Sequence, residues 1–133
     1  MYKIEKQAYG YKLTFSGAIK ADEMQTWVKS AESALAGQAA RSFGVFVDMR
    51  EMKPLESEAQ AVMVKGQMLF KQKGMERSVV ILSTPVIALQ FRRLAKESGI
   101  YKWERYLDTQ TTQNYQKVGE EWLVHGIDPD RLN

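Results

Sequence analysis

Two short apolar segments, separated by a long amphipathic one, limit what this sequence can fold into. They are residues 43–47, which read FGVFV, and residues 78–82, which read SVVIL. Uninterrupted apolar segments of this length are typical of strands that a parallel sheet buries on both faces. Adjacent parallel strands need a crossover connection, and the segment between these two is long enough to form a helix. The sequence therefore predicts a layered α/β fold.

The residues before the first apolar segment predict a β-hairpin and a helix. Apolar and polar side chains alternate on both sides of a turn at Tyr9-Gly10, which is the period of half-buried strands. Asp22, with Gln25 three residues later, has the spacing of a capping box, and Gly37 ends the helical periodicity. The apolar positions are Tyr2, Ile4, Tyr11, Leu13 and Phe15 in the hairpin and Met24, Trp27, Val28, Ala31 and Leu35 in the helix.

The later helices carry sequence signals for where they begin or end. Thr84 and Pro85 supply an N-cap and a proline at the first helical position. Gly74 and Gly99 each follow a helical segment, where glycine commonly ends a helix. The predicted later elements are a helix over residues 57–73, a helix between Thr84 and Gly99, a strand over residues 101–107 and a final helix marked by Tyr115, Val118, Trp122 and Leu123.

The predicted order of elements is ββαβαβαβα. Each strand after the hairpin is followed by a helix, so the strands from the second onward are expected to run mostly parallel. The predicted fold is a mixed, mostly parallel five-stranded sheet with about four helices. We expect residues 1–133 to form a single domain, because a chain of this length can bury an apolar core without disulfides or metal.

Composition excludes several classes of site. The chain contains 19 basic and 16 acidic residues, a formal net charge of +3, and no Lys/Arg run that would mark a nucleic-acid or membrane surface. It contains no cysteine, which excludes disulfides, a thiol nucleophile and thiolate metal ligands. No signal peptide and no apolar segment long enough to span a bilayer are visible. We therefore expect a cytoplasmic protein that binds neither nucleic acid nor a metal ion.

The sequence also lacks the common catalytic motifs. The single histidine, His125, falls in the last turn of the final predicted helix, where the helix dipole favours a surface cation. There is no G-x-S-x-G elbow, no Walker A loop and no G-x-G-x-x-G after a strand. We therefore expect no catalytic residue and no cofactor.

Polar side chains follow the two apolar segments, at the edge where open α/β sheets bind ligands. Asp48 and Arg50 follow the first segment, and Ser83 and Thr84 follow the second. Each also has a structural explanation, because Thr84 suits a helix cap and Asp48 can pair with Arg50. These four residues form a candidate strand-end ligand site, and a small enzyme that uses Asp48 and Arg50 is one alternative function.

The helix predicted over residues 57–73 has two apolar faces, whereas a surface helix needs only one. The narrower face consists of Ala61, Val64 and Met68. Three explanations are open: scattered exposed side chains, cover by a neighbouring segment such as the C-terminal helix, or a protein contact, which an adaptable methionine suits. The broader face is expected to pack on the core, with Gly66 allowing close approach to the sheet. Its members are Ala59, Val62, Met63, Gly66, Leu69 and Phe70.

Leu89 extends the candidate interaction surface to the next predicted helix. It lies outward among Arg92, Arg93 and Lys96, and the simplest interpretation is a solvated basic face. A basic rim beside an apolar stripe favours an acidic protein partner over nucleic acid, because no aromatic ladder accompanies it. Homodimerisation through the same stripe is a variant, because isologous contacts are common among small proteins.

Four segments together carry a resemblance to a known family. They are GAIKADE at residues 17–23, FVDM at 46–49, SVVILSTP at 78–85 and RRLAKESGI at 92–100. With the order of elements, they resemble the STAS family, which includes sulfate transporter tails and anti-sigma factor antagonists, and most closely its SpoIIAA-like branch. The resemblance covers nearly the whole chain. It implies the fold predicted above and a non-enzymatic regulatory or protein-binding function.

The resemblance has two further implications. The SpoIIAA-like branch shares a fold relationship with lipid-binding CRAL-TRIO-type domains, which implies a carrier of a small apolar or lipid-like ligand as an alternative function. In antagonists of the family, the turn after the third strand carries an Asp-Ser-Ser-Gly-like motif, whose serine a partner kinase phosphorylates. The corresponding residues 52–60 read MKPLESEAQ here and lack that motif.

Ser57 is the hydroxyl nearest to that turn and is the candidate phosphosite. Ser57 and Gln60 also have the spacing of a capping box, which is a purely structural role. A capping role predicts that Ser57→Ala costs about 1 kcal/mol and leaves partner binding unchanged.

Overall fold

The fold is that of a computed structural model, which describes residues 1–38 and 42–131. The described residues form nine regular elements and two short 3₁₀ turns, at Tyr101–Trp103 and Pro129–Arg131. The strands are β1 (Tyr2–Gln7), β2 (Gly10–Gly17), β3 (Phe43–Met52), β4 (Met75–Leu82) and β5 (Glu104–Asp108). The helices are α1 (Ala21–Ala36), α2 (Ser57–Gln72), α3 (Pro85–Ser98) and α4 (Tyr115–His125).

The strands form one sheet in the order β1-β2-β3-β4-β5. β1 and β2 are antiparallel, with Tyr2 opposite Phe15 and Gln7 opposite Gly10. All other neighbouring strands are parallel. The predicted α/β class, the order of elements and the mixed, mostly parallel five-stranded sheet are therefore confirmed.

Side chains of the central strands alternate between two apolar layers, as the pleat of a sheet requires. Val45 and Val80 belong to the larger cluster, together with the buried side chains of α1, α2 and α3. Phe46 and Val79 belong to the smaller cluster, which Trp122 of α4 completes. Three helices therefore cover one face of the sheet, and α4 covers part of the other.

Gly66 allows close packing, but the partner is a helix and not the sheet. A Cβ atom at Gly66 would overlap the six-membered ring of Trp27, which belongs to α1. The Trp27 ring stacks on Phe70 with centroids 6.1 Å apart and meets Phe15 edge-on at 5.2 Å. The expectation that Gly66 faces the sheet was therefore wrong, because the bulky indole occupies the space between α1 and α2.

Two of the three predicted helix caps were wrong. Lys20 is the N-cap residue of α1, so Asp22 lies in the first turn and its carboxylate accepts from the backbone N–H of Glu23. Glu56 is the N-cap residue of α2, so Ser57 lies inside the helix and makes no capping hydrogen bond. Thr84 caps α3 as predicted, because its hydroxyl accepts from the backbone N–H of Ile87 at 3.4 Å.

Three strands also begin or end at residues other than those predicted. β3 continues five residues beyond the apolar segment, since Glu51 and Met52 still pair with β2. β4 begins earlier, at Met75. The last strand begins at Glu104, because the preceding residues form a 3₁₀ turn.

Within the described residues, no helix is both long enough and apolar enough to cross a membrane.

Candidate interaction surface and strand-end cluster

The narrow apolar face of α2 points away from the sheet. Ala61 is exposed, Met68 retains 45% of its accessible surface, and Val64 is partly buried against the main core. α4 lies on the opposite side of the sheet, so the C-terminal helix does not cover these side chains. Of the three explanations left open by the sequence, cover by that helix is excluded.

Leu89 lies on the outer side of α3, as predicted, and is 71% exposed. Val86 is 51% exposed one turn earlier, a position that sequence analysis missed although it lies three residues before Leu89. A hydrogen bond from Arg93 of α3 to Gln60 of α2 joins the two helices beside these residues. We call the outward apolar side chains of the two helices the α2–α3 face; its members are Ala61, Val64, Met68, Val86 and Leu89.

Most of the exposed charged side chains on the two helices of the α2–α3 face are basic. Five basic and two acidic exposed side chains lie on the two helices, and Arg93 pairs with Glu97 at 3.2 Å. The Arg92 guanidinium lies 4.6 Å from the centre of the Tyr106 ring, and the Lys96 ammonium lies 4.8 Å from that of Tyr101. The charged residues are Lys65, Lys71, Arg92, Arg93, Lys96, Glu58 and Glu97. The exposed side chains of the two helices therefore carry a net positive charge.

Three of the four strand-end candidates lie close together, but they are already paired. Asp48 and Arg50 belong to β3 itself, and the carboxylate accepts from Arg50 Nε at 3.0 Å and from Arg50 Nη2 at 2.9 Å. The Arg50 guanidinium also donates to Tyr115 of α4 and lies 5.1 Å from the centre of its ring. Ser83 Oγ donates to the Arg50 carbonyl oxygen at 2.9 Å. Thr84 is separate, because its hydroxyl caps α3.

The Asp48–Arg50 pair also affects the ionisation of both groups. Burial acts to raise the pKa of Asp48, but the hydrogen bonds and charge of Arg50 outweigh it and hold that pKa below its usual value. The hydrogen bond with Asp48 likewise raises the pKa of Arg50. Both groups stay charged and neutralise each other, and the cluster connects β3 to α4 and to the residue that follows β4.

This arrangement of strands and helices was compared with that of known proteins. No family model matches the sequence, and no curated protein matches it. Among solved structures, one similar chain is an uncharacterized protein of the DUF3478 family with a SpoIIAA-like fold from Shewanella loihica PV-4. It has 16% sequence identity and a TM-score of 0.61, over 92% of this chain and 92% of that chain.

A second similar structure is the anti-sigma factor antagonist SpoIIAA in its unphosphorylated form. It has 13% sequence identity and a TM-score of 0.60, over 96% of this chain and 99% of that chain. The protein has a SpoIIAA-like fold. The fold implied by the resemblance to the STAS family is therefore confirmed, and identities this low establish the fold alone.

Within the SpoIIAA-like fold, Ser57 is exposed in the first turn of α2. Ala61, Val64 and Met68 follow it at four, seven and eleven residues, so all four lie on one side of the helix. A substituent on the Ser57 hydroxyl would therefore lie at one end of the α2–α3 face.

The SpoIIAA-like core also contains a polar site that sequence analysis missed. A cavity of about 30 Å³ lies among the side chains between the sheet and α1–α3, and Gln67, Ser78 and Glu104 are the polar members of its lining. Glu104 is fully buried, and its carboxyl group accepts from Ser78 Oγ at 3.0 Å and from the Tyr106 hydroxyl at 2.7 Å. The available signal was only the presence of a glutamate within the strand predicted over residues 101–107. A cavity of this size has room for about one water molecule and none for a lipid-like ligand.

Proposed function

We propose that residues 1–133 form a single non-enzymatic regulatory domain of the cytoplasm, which binds another protein through the α2–α3 face. The observation that carries the proposal is the exposure of Met68 and Leu89, at 45% and 71%, on adjacent helices that nothing else covers among the described residues. Exposed apolar side chains grouped in this way favour a protein contact. Methionine and leucine supply apolar contact area there, and the basic side chains nearby would attract an acidic partner during encounter.

The state of the strand-end cluster argues against the enzyme alternative. Asp48, Arg50 and Ser83 are all hydrogen-bonded to one another or to neighbouring backbone, and Thr84 caps a helix. A general base or an anion-binding cation needs an available lone pair or an uncompensated charge. Asp48 and Arg50 compensate each other's charge, and the hydrogen bonds of Ser83 and Thr84 serve the backbone, so a structural role for the four residues is favoured over a catalytic one.

The charges around the α2–α3 face favour an acidic partner over a second copy of this chain. An isologous dimer places the same patch of both copies in contact, which would bring the five basic side chains of one copy against those of the other. An acidic partner with apolar anchors would instead be attracted. The similar SpoIIAA structure is named as an anti-sigma factor antagonist, which supports regulation through a protein contact.

The proposal includes Ser57 as a candidate phosphosite. It is exposed at the N-terminal end of α2, where a phosphoryl group would meet the positive end of the helix dipole and need not disturb the fold. Phosphorylation there would place negative charge beside the α2–α3 face and would reduce its attraction for an acidic partner. The absence of the Asp-Ser-Ser-Gly-like motif means that any kinase must recognise a different sequence.

The proposal is tested by affinity co-purification with a matched pair of variants. Met68→Glu places a carboxylate on the α2–α3 face, and Val124→Glu places one at a similarly exposed apolar position of α4. Circular dichroism first establishes that both variants fold. We expect wild type and Val124→Glu to retain the same partner and Met68→Glu to lose it. A partner that all three proteins retain would contradict the proposed surface.

A charge reversal separates the two kinds of partner. Lys65 is exposed on α2, so Lys65→Glu should weaken binding to an acidic partner and make that binding less sensitive to salt. In an isologous dimer both copies carry the change, and each new carboxylate would face the remaining basic side chains of the other copy, which would strengthen self-association. Sedimentation of the purified protein, with and without Lys65→Glu, measures self-association, and co-purification at low and high salt measures binding to an acidic partner.

A further inference from the structure

Glu104 belongs to a buried hydrogen-bond cluster that connects β5 to two neighbouring elements. It lies opposite Ser78 of β4 in the sheet register, and Ser78 Oγ donates to its carboxyl group. The Tyr106 hydroxyl lies 2.7 Å from the other carboxyl oxygen and 3.2 Å from the backbone carbonyl oxygen of Phe91, which belongs to α3. We call Glu104, Ser78, Tyr106 and the Phe91 carbonyl the Glu104 cluster.

No basic side chain compensates Glu104. Among residues 1–38 and 42–131, no Lys, Arg or His nitrogen lies within ion-pair distance of its carboxyl group. An isolated carboxylate in an apolar interior is costly, so burial favours the neutral acid. Burial raises the pKa of Glu104 to about 7, although the hydrogen bonds from Tyr106 and Ser78 act in the opposite direction.

The number of hydrogens in the Glu104 cluster depends on the charge of Glu104. The Tyr106 hydroxyl has one hydrogen and two acceptors within reach, and burial raises the pKa of Tyr106, so that hydrogen is retained. A neutral Glu104 can donate its own hydrogen to the Tyr106 oxygen, which leaves the tyrosine hydrogen for the Phe91 carbonyl. An ionised Glu104 has no hydrogen to give and competes for the tyrosine hydrogen as the stronger acceptor. The link from β5 to α3 is then lost.

Glu104 also separates the buried cavity from a groove at the surface, because it lines both. The groove is lined by Arg92 of α3, Tyr101 and Lys102 of the 3₁₀ turn, Arg105 of β5, and Asp130 near the C-terminal end of the described chain. The Arg105 Nε pairs with Asp128 at 2.8 Å, and the Arg92 guanidinium lies over the Tyr106 ring. The polar residue that α2 contributes to the cavity lining is the uncharged Gln67. On the other side of the sheet, the indole N–H of Trp122 in α4 donates to the Ser78 carbonyl oxygen at 3.0 Å.

The cavity can admit water when the cluster opens. Its volume of about 30 Å³ exceeds the roughly 10–15 Å³ that one water molecule needs. The ring of Trp27 lines the cavity, and its indole N–H has no hydrogen-bond partner among the described residues. Water that reaches the cavity can therefore solvate an ionised Glu104 and pair with other polar groups there.

We propose that the Glu104 cluster is a proton-operated latch between β5 and α3. With Glu104 neutral, the chain of hydrogen bonds from Glu104 through Tyr106 to Phe91 holds α3 against β5. With Glu104 ionised, that chain breaks, water enters the cavity and the contact between α3 and β5 loosens. The latch is a property of the fold and does not depend on the proposed protein partner.

The latch is tested by nuclear magnetic resonance and amide hydrogen exchange of the whole chain between pH 5.5 and 8.5. Three variants accompany the wild type: Glu104→Gln, which resembles the neutral acid and cannot ionise, Tyr106→Phe, which removes the link to Phe91, and the control Glu32→Gln on the exposed side of α1. The side-chain carboxyl carbon of Glu104 reports its ionisation, and protection factors of α3 and β5 amides report the latch.

In the wild type and in Glu32→Gln, we expect the Glu104 carbon to titrate near neutral pH. Protection of α3 and β5 should fall over the same interval by about tenfold, the equilibrium effect of losing roughly one hydrogen bond. Glu104→Gln should keep constant protection across the range. In Tyr106→Phe the titration of Glu104 should move to higher pH, because a hydrogen bond that favoured the carboxylate is gone, while protection stays low throughout.

Two results would overturn the latch. One is a Glu104 carbon that does not titrate between pH 6 and 8. The other is a fall in α3 and β5 protection that persists unchanged in Glu104→Gln. If Glu104→Gln does not fold, the pH of the Glu104 titration in Tyr106→Phe decides the question, because a midpoint that does not rise contradicts the hydrogen-bond chain.

Discussion

At the scale of single residues, Gly66 controls how closely α1 and α2 approach. Its missing side chain leaves the space that the Trp27 ring occupies, and that ring in turn packs on Phe15 and Phe70. The neighbours are rigid aromatic groups in a close-packed core, so they have little freedom to move aside. A single hydrogen at position 66 is therefore a condition for the observed helix spacing.

We expect Gly66→Ala to destabilise the protein even though alanine is the better helix former. The gain in helix propensity is about 1 kcal/mol, and the overlap with the Trp27 ring should cost more, for a net loss of about 1–3 kcal/mol. Gly37→Ala is the matched control, because a Cβ atom there has no neighbour within 4 Å. Urea unfolding followed by circular dichroism measures both. Equal stabilities of the two variants would mean that Trp27 can move aside.

At the scale of elements, the start of a helix depends on one or two backbone positions that side-chain patterns locate poorly. Ser57 has the sequence spacing of a cap but lies inside α2, where Gln60 Nε2 donates instead to the Leu55 carbonyl oxygen at 2.8 Å. Thr84 has both the spacing and the observed hydrogen bond. The two hydroxyl residues therefore differ in energetic role despite similar sequence contexts.

The correction at Ser57 changes the expected effect of its mutation. Ser57→Ala should change the free energy of unfolding by less than about 0.5 kcal/mol, as for an ordinary surface substitution. Thr84→Ala should cost about 1 kcal/mol, because a capping acceptor is lost. Thermal or urea unfolding of the two variants beside the wild type tests the contrast. A loss at Ser57 as large as the loss at Thr84 would restore the capping interpretation.

The same contrast explains which elements were predictable. The apolar period along the chain is set by burial on one or two faces, so the strand at residues 43–47 and the helix stripe at Met68 could be placed from sequence. β3 extends to Met52 because its backbone keeps pairing with Gly17 of β2 after its side chains turn polar. Backbone pairing between distant segments leaves no mark in the side-chain pattern. For that reason the sequence placed Asp48 and Arg50 after the strand, whereas they lie within β3.

Glu104 was missed for a related reason. A glutamate at the start of a short strand looks like an ordinary surface residue, and its burial depends on Ser78 and Phe91, which lie far from it in sequence. The exposure of Met68 was open for the same reason until the position of α4 was known. Contacts between distant elements decide both questions.

At the scale of the whole molecule, two kinds of carboxyl group make the free energy of unfolding depend on pH in opposite directions. Hydrogen bonds from Arg105 lower the pKa of Asp128 to about 2, and Arg50 lowers that of Asp48 despite the opposing effect of burial. Both groups stabilise the fold above pH 3.8, their usual pKa, and this stabilisation is lost as the pH falls through the lowered values. Glu104 acts in the opposite sense. Its pKa rises from 4.5 to about 7, so its contribution is complete below pH 4.5 and is lost as the pH rises toward 7.

We therefore expect the free energy of unfolding to be greatest at about pH 4 to 5 and to fall toward neutral pH. In Glu104→Gln the fall between pH 4.5 and 7 should shrink by on the order of 3 kcal/mol, because the group no longer ionises. Urea unfolding at half-unit pH intervals measures the profile, with Glu32→Gln as the exposed control. A wild-type protein whose stability rises steadily from pH 5 to 7 would contradict the expectation.

The two faces of the sheet are covered by different numbers of helices, and this difference affects how the chain folds. On the face that carries Phe46, Val79, Ile81 and Leu107, the helical cover is α4, which follows every strand in the sequence. During synthesis the sheet can assemble with α1, α2 and α3 while this face still awaits α4. A chain truncated between β5 and α4 would expose this apolar face of the sheet. Such a truncated chain should therefore associate with chaperones more than the full chain does.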